Sequence, residues 1–120
     1  MGFIHVPVTV RNPADDSKEI EVNFLVDTGA LDSLVPRDQL EAIGITPKGQ
    51  REYVMADGSE ATFDVATADM EIMGELVASR IVFGEPGTQP LLGAIDLQAA
   101  AIVVNPSNET LPKMPSLRRL

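Results

Sequence analysis

The feature that most constrains this chain is a hydrophobic period of two. Ile4, Val6, Val8 and Val10 alternate with His5, Pro7 and Thr9, and Ile20, Val22, Phe24 and Val26 alternate with Glu19, Glu21, Asn23 and Leu25. Successive side chains of a strand point to opposite faces, so such runs bury one face and wet the other. The turn-forming cluster Asn12-Pro13-Ala14-Asp15-Asp16-Ser17 separates them, and the two runs therefore predict a hairpin. Its second strand leads straight into Asp27-Thr28-Gly29. Pro7 has no N–H to donate to a ladder, which assigns the first strand to an edge on at least one side.

The same reading extends along the chain. Leu34-Val35 predicts a short strand, and Pro36 fits the first turn of a short helix through about Ile43, ended by Gly44. Tyr53–Ala56 and Ser59–Val65 flank Asp57-Gly58, which predicts a hairpin with a two-residue turn. Further strands are expected near Ala68–Met73 and Leu76–Phe83. Leu91-Leu92-Gly93 precedes a short helix over Ala94–Ala100, and Ile102-Val103-Val104 predicts another strand, stopped by Asn105-Pro106. About seven short strands and two short helices predict a mainly β fold, a small closed barrel or sandwich. Residues 1–113 are expected to form the domain and 114–120 a frayed tail.

Composition narrows the chemistry. A chain of 120 residues fits one domain. There is no cysteine, which excludes disulfides, thiolate catalysis and cysteine metal sites. The single histidine, His5, excludes a zinc site of several His ligands and reads as a strand surface residue rather than the base of a Ser-His-Asp triad. Asp64, Asp69, Glu71 and Glu75 read as exposed strand faces rather than metal ligands, and Met55, Met70 and Met73 as packing residues. No metal or cofactor is expected. A net charge of −9 argues against binding nucleic acid or anionic lipid. No apolar run approaches the ~20 residues of a membrane span. No signal peptide is evident, Val6 spoils a myristoylation motif, and the sequon at Asn108 reads as chance; the cytoplasm is the expected compartment.

The chemistry-bearing segment is Phe24-Leu25-Val26-Asp27-Thr28-Gly29-Ala30. An apolar strand delivers an acid to the rim of a core, a partly desolvated position for a carboxylate. Gly29 allows a sharp turn and close approach of a substrate, and the Thr28 hydroxyl can fix the loop. Asp-Thr-Gly alone also describes an ordinary strand-end turn, so the rest of the pattern has to carry the reading.

In the order apolar strand, Asp27-Thr28-Gly29-Ala30, Asp-Gly hairpin, then Leu91-Leu92-Gly93 before a short helix, the sequence resembles the retropepsin family of aspartic proteases over roughly residues 3–105. The resemblance implies Asp27 as the catalytic aspartate. It implies that Thr28 bonds across to a partner's active-site loop and that the Gly29 carbonyl holds substrate, and it places Ala30, Leu31 and Asp32 beside the substrate. Met55-Ala56-Asp57-Gly58-Ser59 falls at the flap, and Leu91, Leu92 and Gly93 form the element that threads behind the active-site loop. Retroviral members carry an acid and an arginine where this chain has Leu31 and Ala94, so an apolar contact between those two is expected in place of the ion pair. Asp32 either faces substrate or caps a turn.

Aspartic protease catalysis needs two carboxylates sharing one proton. This chain has one Asp-Thr-Gly, so the resemblance implies a homodimer, the second Asp27 coming across a two-fold axis. The expected function is hydrolysis of peptide bonds in an extended substrate. The alternative is a dimeric peptide-binding module with little turnover.

Overall fold

The computed structural model describes residues 4–104 and Leu111. The expected C-terminal tail, the Asn105-Pro106 stop and the sequon at Asn108 lie outside the described residues. Seven strands and two helices follow in the order β1 (His5–Asn12), β2 (Asp15–Val26), β3 (Ser33–Pro36), α1 (Arg37–Ala42), β4 (Gly49–Val54), β5 (Glu60–Ile72), β6 (Glu75–Gly84), β7 (Leu91–Leu92) and α2 (Ala94–Ala99). They form one sheet in the order β1-β2-β7-β3-β6-β5-β4. A second pairing of β1 with β5 turns six of the strands into a ring, and β4 stays outside it, bonded to β5. A mainly β fold is what the period predicts; the expected closed barrel takes the form of this irregular ring.

The period-two runs sort as their chemistry requires. Val6, Val8, Val10, Val22 and Phe24 are buried in the core, while His5 and Glu21 face solvent. They meet Met70, Ile72, Ile81 and Leu92 from the other strands, with Leu40 of α1 and Leu97 of α2 closing the ends. Leu40 is the one fully buried side chain of a six-residue helix, and Gly44, at φ +76, ends that helix by donating to Glu41 O at 2.9 Å. Among the described residues no helix is long and apolar enough to cross a membrane.

Four expectations are corrected. β1 is not an edge: its pairing with β5 starts at Val8, one residue past Pro7, so the proline sits just outside the second ladder. The separate strands expected at Ser59–Val65 and Ala68–Met73 are one strand, β5, whose two halves pair with β4 and β1 while β6 runs along Val65–Ile72. The Asp57-Gly58 turn is a three-residue loop, Ala56-Asp57-Gly58, between Met55 and Ser59; Gly58 N donates to Met55 O, and Gly58 has φ +86. That is a type I turn followed by a left-handed glycine, a common hairpin closure. Ile102–Val104 is not a strand beyond a single bridge at Ile102, because the chain reverses at Ala101, φ +56, to close α2. One short strand went unread: β7 is only Leu91–Leu92, too brief for a period.

Phe24 is fully buried at the centre of this core. Phe24→Ala is expected to cost about 3–5 kcal/mol of folding stability, measured by urea denaturation of the two proteins.

Candidate functional site

The site is assembled where β2 ends. β7 slots between β2 and β3, parallel to β2 (Leu25 opposite Leu91, Val26 opposite Leu92) and antiparallel to β3 (Leu34 opposite Leu91). Leu25 N donates to Pro90 O at 2.9 Å and Asp27 N to Leu92 O at 3.0 Å. The backbone of Asp27 is thereby held by the second motif. The loop then folds on itself: Ala30 N donates to Asp27 O at 3.1 Å, and Gly29 N donates to the Asp27 carboxylate Oδ1 at 2.9 Å. A Cβ at Gly29 would stand 3.2 Å from that same oxygen. A side chain there would crowd the carboxylate, which is a local reason for glycine.

The second motif is locked to the far side of the loop. Ala94 N donates to Ala30 O at 2.8 Å and Ile95 N to Leu31 O at 3.2 Å. These main-chain bonds bring the loop residues Ala30 and Leu31 against Ala94 and Ile95. Leu31 is 49% exposed. Gly93 is packed so closely that an added Cβ would meet Asp32 O at 2.6 Å, Asp32 C at 2.7 Å and Leu31 O at 2.8 Å. Beneath it, Gly93 N donates to Ser33 Oγ at 3.0 Å, Ser33 Oγ donates to Asp96 Oδ2, and Ser79 Oγ donates to the same oxygen at 2.8 Å. Asp96 is buried, and burial pushes its carboxyl above the usual 3.8 against the lowering effect of the two hydroxyls.

A cleft of about 620 Å³ opens beside Asp27. Its floor comes from Asp27, Gly29, Ala30, Leu31 and Asp32, its roof from Met55 and Ala56, and Leu91 lies at the back. Of the active-site loop, Asp27 is half-buried and Thr28 and Gly29 are exposed. Thr28, Asp57, Gly58, Leu92 and Gly93 do not line it: Leu92 and Gly93 are buried supports, and Asp57 accepts the Ser59 N–H and hydroxyl at the flap turn, bonds that hold its carboxyl below the usual range.

Sequence reasoning missed Leu34, Arg51, Glu52, Tyr53, Val54, Phe63 and Val82, which complete the lining. Arg51 and Tyr53 share the inward face of β4, where Tyr53 meets Phe63 edge-on at 5.9 Å.

Asp32 lines the cleft, as expected of a residue beside substrate, but its side chain is turned to other groups of the protein. Its carboxylate is buried and accepts the Tyr53 hydroxyl at 2.6 Å, with Arg51 and Arg80 each 3.7 Å away. Burial and the neighbouring Asp32 both push the Tyr53 hydroxyl up from its usual value. The strand-face acids are dispersed: Asp64 pairs with Arg37, which holds it below the usual range, and Glu71 pairs with Arg11. Among the described residues no group of three or more His, Cys, Asp or Glu is placed to hold a metal ion.

A ring of strands that presents an Asp-Thr-Gly loop, backed by an apolar-apolar-Gly strand and roofed by a hairpin, is the architecture of a retropepsin-like aspartic protease subunit. Residues 17–99 match the family described as "gag-polyprotein putative aspartyl protease", and the chain belongs to that family. Solved structures agree on the fold. The simian foamy virus (mac) protease in solution is 19% identical with a TM-score of 0.56, over 78% of this chain and 91% of that one. The retroviral protease-like domain of Ddi1 from Leishmania major is 14% identical with a TM-score of 0.58, over 94% and 89%. A foamy viral protease-reverse transcriptase in complex with an RNA/DNA hybrid, a far longer chain, matches at 16% identity and a TM-score of 0.59, over 98% of this chain and 13% of its own. No curated protein sequence matches.

The support beneath the loop can be tested at two positions. Gly93→Ala must push the loop away from the second motif, and is expected to cost about 1–3 kcal/mol, the range for overpacking, read by thermal denaturation. Asp96 carries a pH signature. Its folded pKa lies above its unfolded value, so the folded chain binds that proton more tightly; the stability from this group is fullest below about pH 3.8 and falls as pH rises through the folded value. Asp96→Asn keeps an acceptor for both serines and removes the titration. The stability of wild type relative to this variant is expected to be greater at about pH 4 than at about pH 7, in urea titrations at the two pH values.

Proposed function

We propose that this chain is one half of a homodimeric aspartic endopeptidase whose catalytic carboxylates are the two Asp27 side chains. The observation that carries the reading is the placement of Asp27. Its main chain is tied to Leu92 and its carboxylate is held by the Gly29 N–H, at the floor of a cleft sized for a peptide. A single copy supplies only one Asp-Thr-Gly, and a two-fold axis through the loop supplies the other.

In the proposed reaction the substrate lies extended under the flap, adding its main chain to that of the hairpin. One Asp27 takes a proton from a water while its protonated partner donates a hydrogen bond to the scissile carbonyl. The water oxygen bonds to the carbonyl carbon. The partner's proton passes to the carbonyl oxygen to give a tetrahedral diol, whose collapse breaks the C–N bond as the first Asp27 gives the proton it took from water to the leaving nitrogen and the partner takes a proton back from the diol. No covalent enzyme intermediate and no metal enter these steps. Because the pair must carry one proton between them, cleavage is expected in the acid range.

Asp27→Asn is expected to lower cleavage of an unbiased peptide library at pH 3–7 by ~10²-fold or more, with dimerisation by sedimentation and peptide binding retained. A peptide-binding function unchanged by Asp27→Asn, with no cleavage by the wild-type dimer, would instead support the binding-module reading.

A further inference from the structure

Asp32 is a charge taken out of water at the edge of the cleft: its side chain is 3% exposed. Such a group needs compensation from its surroundings. Three residues from two other strands supply it. Tyr53 of β4 donates its hydroxyl to Oδ2 at 2.6 Å, while Arg51 of β4 and Arg80 of β6 each bring a guanidinium nitrogen to 3.7 Å from the same oxygen. At 3.7 Å the arginines are charge neighbours, not hydrogen bonds; the directed bond is the tyrosine's.

The position of that bond matters. β4 stands outside the ring, with β5 as its sheet partner, and Tyr53 lies just before the exposed flap turn Met55–Ser59. Asp32 sits in the loop leaving Asp27, with its main chain pressed on Gly93. The bond therefore joins the base of the roof to the floor. Resting on the protease reading, we propose that Tyr53 is a positioning residue: its hydrogen bond to Asp32 latches the flap hairpin over the cleft, and Asp32 is spent on that latch instead of reading a substrate side chain. The latch fixes the base of the hairpin and leaves movement to the turn beyond it.

Tyr53→Phe removes the hydroxyl and keeps the ring that meets Phe63 and lies under Arg51. Two measurements test the latch in the full-length protein. In amide hydrogen exchange, protection over residues 49–59 is expected to fall while the ring keeps its protection. In steady-state cleavage of a peptide taken from the library, KM is expected to rise by about 10-fold with kcat within about two-fold, the pattern of a lost binding contribution. Unchanged exchange over residues 49–59 would overturn the proposal, as would a loss of protection spread over the whole chain, which marks a merely structural role. A selective loss of cleavage of peptides with a basic side chain would overturn it too, by showing that Asp32 reads substrate. Exchange is measured without substrate, so it decides the latch even where wild type cleaves nothing and the protease reading itself fails.

Discussion

The structure depends on one threading contact: β7, two residues long, lodged between β2 and β3. That strand alone would be negligible. Its bonds, however, hold the end of β2, the N–H of Asp27 and, through Ala94 and Ile95, the carbonyls of the loop beyond. An exposed acid on a strand-end turn would otherwise sample many conformations, because loops carry few buried contacts. Here the loop has main-chain partners at both ends and a buried Ser33–Asp96–Ser79 cluster beneath it. The close approach needed at Gly93 explains the glycine, and the crowding at Gly29 explains the other.

How the rest of the chain serves this contact is a matter of layers. The alternating valines of β1 and β2 give a core against which β7 can be pressed, and the ring closed by β1 and β5 supports it from behind. The hairpin of β4 and β5 extends beyond the ring, and Met55 and Ala56 at its turn line the cleft.

The parts legible in the sequence were those governed by local rules. Strand alternation in β1 and β2, the proline-led start of α1 with Gly44 at its end, and the Asp27-Thr28-Gly29 and Leu91-Leu92-Gly93 motifs each depend on neighbours in the chain. What escaped depended on distant partners. β5 continues through Val65–Ala68 because β6 pairs across the gap, which no local signal reports. The role of Asp32 is set by Tyr53, Arg51 and Arg80, which converge on it from other strands. The loop is joined to the second motif by Ala94 N to Ala30 O and Ile95 N to Leu31 O, main-chain bonds to which side-chain identity is a poor guide.

In the proposed reaction, catalysis requires one Asp27 from each of two copies. Mixing wild type with an equal amount of Asp27→Asn, under conditions where subunits exchange, tests it without reference to substrate specificity. If the carboxylates are shared, only pairs of two wild-type copies cleave. Specific activity per total protein then falls to about a quarter, the statistical share of such pairs in a symmetric dimer. A fall to about one half would mean that each chain acts alone, and would contradict the account.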